Sequence, residues 1–170
     1  MSLTTHRLHR EMAMRHDGFS MMELMVVLAV IAILVLMAVP SFTDKIIRDQ
    51  IVESLPLADI AKAPVSASWA TTRTLPADNA AAGLPASDKI VNNYIRSVSV
   101  REGAIDITFG NNAHTLINNK VLTLRAAVVE DSPVVPVTWV CGNAAAPAPM
   151  TMRGENGTNI PAGYLPLKCR

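Results

Sequence analysis

One pattern dominates the chain. Residues 24–39 are sixteen consecutive positions without a polar side chain. With Phe19, Ser20, Met21, Met22 and Glu23 ahead of them they make a mostly apolar stretch of 21 residues, 19–39. As a helix it spans roughly 30 Å, the thickness of a bilayer core. Residues 1–18 are polar and mildly basic, with His6, Arg7, His9, Arg10, Glu11, Arg15, His16 and Asp17. Basic residues ahead of the span and few just behind it place the N-terminus in the cytoplasm and the rest of the chain on the far side.

The pattern then changes period. Ile47, Ile51 and Leu55 recur at four-residue spacing, with Lys45, Arg48, Asp49 and Glu53 on other faces, the mark of an amphipathic helix. That helix is expected over 44–72, recapped at Ser41-Phe42-Thr43-Asp44 and bent or broken at Pro56 and Pro64. Trp69 reads as a core residue rather than a binding platform. Residues 73–93 carry turn signals, Leu75-Pro76-Ala77-Asp78-Asn79 and Gly83-Leu84-Pro85, and form a surface loop. From Tyr94 the period becomes two. Strands are expected over 94–100, 104–109, 121–129 and 134–141, with Arg101-Glu102-Gly103 as a tight hairpin turn and Pro136 on an edge or at a bulge. A four-stranded antiparallel sheet packed on a long N-terminal helix is an α+β fold.

Composition adds restraint. Half of the 170 residues are apolar but only 4% are aromatic, and the formal net charge is +1, which gives no electrostatic case for nucleic-acid binding. Cys141 and Cys169 are the only cysteines, 28 residues apart. Beyond a membrane the compartment is oxidising, so a disulfide is the default, with two buried thiols as the alternative. It closes a loop worth on the order of 3 kcal/mol. His114 is the sole histidine after residue 16, too few ligands for zinc. Glu130-Asp131 beside Ser132-Pro133 reads as a solvated turn, not a metal site. Asn156-Gly157-Thr158 fits a glycosylation acceptor, but Asn-Gly reads first as a turn. No catalytic constellation, phosphate loop or cofactor motif is present in the sequence, so no enzyme, metal or cofactor is expected.

Two residues in the apolar stretch need an explanation. Glu23 sits one turn inside it, where a carboxylate costs several kcal/mol unless paired or protonated. Either it reaches interfacial water, or it pairs with an α-amino group released at Phe19 by cleavage after Gly18. Small-x-small cleavage beyond the apolar run, at Ala38-Val39-Pro40, is disfavoured by the proline. Pro40 either kinks the helix near 36–40 or marks its exit from the membrane.

The run Gly18-Phe19-Ser20-Met21-Met22-Glu23-Leu24-Met25-Val26-Val27 resembles the class III signal of type IV pilins and pseudopilins. Gly18, Phe19 and Glu23 match that pattern, and Pro40 matches a proline the family often carries. Trp139-Val140-Cys141-Gly142 and Tyr164-Leu165-Pro166-Leu167-Lys168-Cys169-Arg170 resemble the tail of type IVa pilins. The resemblance implies a pilin fold and three regions: a cleaved leader 1–18, an N-terminal helix 19–72 whose 19–39 portion is membrane span and then fibre core, and a globular head 73–170 with a disulfide-bounded region 141–169. It implies cleavage by a prepilin peptidase at Gly18/Phe19, N-methylation of Phe19, and a charge pair from Glu23 during assembly. The implied partners are further copies of the chain, minor pilins, the peptidase, an assembly platform with its ATPase and the inner membrane. Nucleic acid enters only through a DNA-uptake role. The expected product is a surface fibre for adhesion, twitching motility or DNA uptake. A type II secretion pseudopilin and a single-pass anchored periplasmic binding domain are the alternatives.

Overall fold

The computed structural model describes residues 18–170, apart from the side chains of residues 39–41. The chain divides between Val39 and Pro40 into two compact units. Helix α1 (Met21–Ser54) runs across that division. Ser20 opens it: its Oγ accepts the Met22 N–H at 3.3 Å and its carbonyl accepts the Leu24 N–H at 3.1 Å. Contrary to expectation, the helix does not restart at residues 41–44 but continues through Pro40. A proline inside a helix costs about 3 kcal/mol, which burial of Ile47 and Ile51 further on can offset.

In the second unit a 3-10 turn (Leu55–Ala58) holds Pro56, and α2 (Asp59–Thr72) follows. The expected interruption at Pro56 is this turn. Pro64, however, lies within α2 without ending it. The carbonyl that loses its donor belongs to Ile60, on an exposed part of the helix where water can serve. The buried stripe is Ile47, Ile51, Ser54, Ala58, Ala61, Val65 and Trp69. Leu55, placed in the stripe from the sequence, is only half-buried. At 3.6 residues per turn the stripe drifts, and Ser54 and Ala58 take the central line. Arg73 ends α2 in the left-handed region at φ 58°, its N–H on the Trp69 carbonyl at 3.0 Å.

Strands β1 (Ile95–Arg101), β2 (Ala104–Phe109), β3 (Val121–Val128) and β4 (Thr138–Cys141) lie in that order, all antiparallel. β4 is half the expected length. Pro136 falls in the loop before it, since the missing N–H and fixed φ do not suit a ladder position. A short fifth strand, β5 (Thr151–Arg153), was not anticipated. It pairs with Ala126, Ala127 and Val128, past the part of β3 that β2 covers. Glu102 (φ 49°) and Gly103 (φ 82°) form the β1–β2 turn, and two successive positive φ values make it type I′.

One sheet face presents Val98, Val100, Ile105, Ile107, Phe109, Leu122 and Leu124 to the helical stripe, and these form one core. Residues 73–94 close the free edge of β1. Asn79 acts there as a surrogate strand: its Oδ1 accepts the Val100 N–H at 2.6 Å and its Nδ2 donates to the Val98 carbonyl at 3.1 Å.

Candidate functional site

The first candidate region is the N-terminal stretch from Gly18 through the apolar half of α1. Gly18 has nothing within 4 Å of where a side chain would project, and Phe19 is 85% exposed. Glu23 lies in the first helical turn, where the unpaired N–H groups favour a negative charge. Around and after it every large apolar side chain that the structure describes as far as Met37 is exposed. This is the one helix among the described residues long and apolar enough to cross a membrane, and none of its most apolar window is buried. An apolar surface of that size is stable only against lipid or other apolar helices. Gly18 and Phe19 thus lie exposed just ahead of the helix, and Glu23 is exposed in its first turn. Residues 1–17 of the expected leader 1–18 lie outside the described residues, as does the Pro40 side chain.

The second region is the segment after β4: its disulfide end packs into the core on the helical side of the sheet, and residues 155–159 run along β3 and reach the polar side chains of the other face. Cys141 and Cys169 are joined by a disulfide, with Cα atoms 4.5 Å apart, and both are buried. Asn143 donates its N–H to the Cys169 carbonyl at 3.0 Å. Gly142 has φ +57°, and a side chain there would meet the Cys169 carbonyl oxygen at 2.5 Å.

A polar network fixes the rest of that segment. Thr123, fully buried in β3, donates from Oγ1 to Asp106 Oδ1 at 2.6 Å and accepts the Gly157 N–H at 3.0 Å. The Thr123 N–H reaches Thr158 Oγ1 at 3.0 Å, and Asn159 and Val121 exchange two further bonds. Arg101 bridges Asp106 and Glu155, each at 3.1 Å. Asp106 above all holds the guanidinium above its ordinary pKa; burial opposes it, and Glu155 adds a lesser push in the same direction as Asp106. Arg153 pairs with Glu130.

Asn156-Gly157 thus joins no two strands as a hairpin; its turn is made by the Asn156 side chain, an Asx turn. Asn156 Oδ1 accepts the Thr158 N–H, its Nδ2 donates to Asn143 Oδ1, and the segment lies along β3. Sequence reasoning missed Thr123, Asp106 and Arg101. Their signal is period two: each is the polar member of an apolar alternation, which marks a second sheet face but not what covers it. Among the described residues no cluster of His, Cys, Asp and Glu could hold a metal ion.

Comparison with known proteins agrees with both regions. The prokaryotic N-terminal methylation motif matches residues 13–39, and the pilin family, described as a bacterial filament, matches residues 48–170. A fimbrial protein of Neisseria meningitidis is 32% identical over 162 residues, covering 90% of this chain and 93% of its own. The type IV major pilin protein PilE of Neisseria gonorrhoeae is 31% identical, with the same coverage. Fimbrial protein EcpC of Eikenella corrodens is 32% identical, covering 90% of each chain. With a helix-on-sheet head, an exposed apolar N-terminal helix bearing a lone acid, and a disulfide-bounded tail, the chain belongs to the type IV pilin family of non-enzymatic structural subunits.

Proposed function

We propose that the chain is a pilus subunit that waits in the inner membrane, N-terminus in the cytoplasm, and polymerises into a surface fibre. The observation that carries this reading is the exposed apolar N-terminal part of α1, with a single carboxylate in its first turn. A prepilin peptidase cuts after Gly18, removing residues 1–18, and the new amine of Phe19 is methylated. The helix then exchanges lipid for the helices of its neighbours, and Glu23 neutralises the Phe19 amine of an adjacent subunit in the low-dielectric core. Pro40 gives the helix a point of bending between fibre core and head. Extraction of the span needs an assembly ATPase on the cytoplasmic side. The named relatives include major pilins, which supports the same role here, and the fibre serves adhesion, twitching motility or DNA uptake.

Intact-mass measurement of the protein from its own host tests the processing. The expected mass begins at Phe19, is raised by one methyl group and lowered by two hydrogens for the disulfide. A mass retaining residues 1–18 overturns the reading. Glu23→Ala tests the pairing: cleavage is expected to be normal and fibre yield to collapse, and a normal yield removes Glu23 from assembly.

A further inference from the structure

The loop between β3 and β4 carries an apolar side chain held in water. Val134 is 94% exposed. Its backbone is not loose: the Ser132 N–H reaches the Val129 carbonyl at 3.2 Å and the Val135 N–H reaches the Ser132 carbonyl at 3.0 Å, so Val134 stands on a fixed turn. Asp131, three positions before it, is exposed. On the same head, between helix residues 52–62 and β4, lies an open groove of about 540 Å³. Leu55, Pro56, Trp139 and Ala145 line it, together with Lys62 and Lys168. Lys62 is bound to Asp59 at 2.8 Å, whereas Lys168 makes no ion pair among the described residues.

β4 also has a free edge there. Gly142 donates its N–H to the Thr123 carbonyl at 2.8 Å, and Ala126 faces Trp139 in the register. Trp139 is therefore at a non-hydrogen-bonded position, with its own N–H and C=O turned away from β3.

We propose that this groove is a docking site for a second copy of the chain, and that the occupant is the neighbour's Val134 turn. Val134 fills the apolar part, the Trp139 backbone bonds the incoming segment, and the neighbour's Asp131 pairs with Lys168. Acid beside the protruding valine and base beside the groove are complementary, which sets orientation. The exposure of Val134 shows that a head does not seat it in its own groove. Two different patches meeting head to tail do not close by necessity, and they propagate as a ring or a helical fibre. The inference rests on the filament reading above and adds to it which head surfaces meet.

Fibres of the full-length chain carrying Val134→p-benzoylphenylalanine test it. Irradiation is expected to give a species of twice the subunit mass whose linked peptides fall in 52–62 or 138–147. The same amino acid at Ala145 reads the contact from the groove, with adducts expected on 130–136. Adducts on other segments, or only at subunit mass, overturn the docking and leave the filament reading intact. Absence of fibres from the unaltered chain overturns both. In a second arm, Asp131→Lys and Lys168→Glu each lower fibre yield about tenfold, and together restore it to within about twofold. Single variants that assemble normally, or a pair that does not recover, also overturn it.

Discussion

Two constraints meet at position 142. The backbone is left-handed at φ +57°, and a side chain would press on the Cys169 carbonyl oxygen, which cannot move without shifting the disulfide. Gly142→Ala is expected to cost about 2–4 kcal/mol, read as a lowered melting temperature of the detergent-solubilised protein. Thr123 is a subtler case, because its hydroxyl serves as donor to Asp106 and as acceptor for Gly157. Thr123→Val keeps the shape but takes the partner from the part-buried Gly157 N–H and from Asp106 Oδ1, and a loss of about 1–3 kcal/mol is expected. The neighbouring Arg101 carries a pH prediction. Asp106 and Glu155 raise its pKa above an already high value. Its contribution is fully present below the unfolded value and is lost only as pH climbs through the folded one. The melting-temperature gap between the wild-type protein and Arg101→Gln is therefore expected to stay constant from neutral to mildly alkaline pH; a gap that closes there removes the pairing as its source.

At the scale of the element, the helical stripe works by alternating bulk with small residues. Ile47 and Ile51 fill one end, Val65 and Trp69 the other, and Ser54, Ala58 and Ala61 let the backbone approach the sheet between them. Ile51→Ala is expected to cost about 2–5 kcal/mol. Ala61→Leu, which adds apolar volume where none is available, is expected to cost about 1–3 kcal/mol. Ser54→Ala is expected to stay within about 1 kcal/mol, because the hydroxyl bonds only its own helix, at the Gln50 carbonyl, and its loss strands no other donor. Urea unfolding of the three variants gives the order. The sequence disclosed this stripe through Ile47 and Ile51 but continued it at Leu55, which is only partly buried, rather than at Ser54 and Ala58, since a four-residue count ignores the drift of a 3.6-residue turn. The apolar span and the first three strands were legible because their hydrophobic periods are long and unmixed. β5 was not: Thr151-Met152-Arg153 is too short for a period, and only the vacant stretch of β3 at residues 126–128 makes it a strand.

For the whole molecule, the question is what holds the last thirty or so residues on the sheet, since they have few large apolar side chains. Two fastenings act at different points. The disulfide ties Cys169 to the end of β4, while the Thr123–Asp106–Gly157 network, the Asn159–Val121 bonds and the Arg101–Glu155 pair tie the middle. Cutting the covalent tie should therefore loosen the segment without releasing it. Replacing both cysteines by serine removes a cross-link over 28 residues, worth about 3 kcal/mol. The expected result is a head that still folds, with amide exchange accelerated over residues 160–170 and nearly unchanged at residues 121–124. Combining this with Thr123→Val removes the first fastening and weakens the second, which keeps the Asn159–Val121 bonds and the Arg101–Glu155 pair. Because the two fastenings hold one segment, the combined loss is expected to exceed the sum of the separate losses in the exchange of residues 142–170. Strictly additive exchange in the combined variant would mean that the covalent and polar fastenings secure independent pieces of the tail rather than one layer over the sheet.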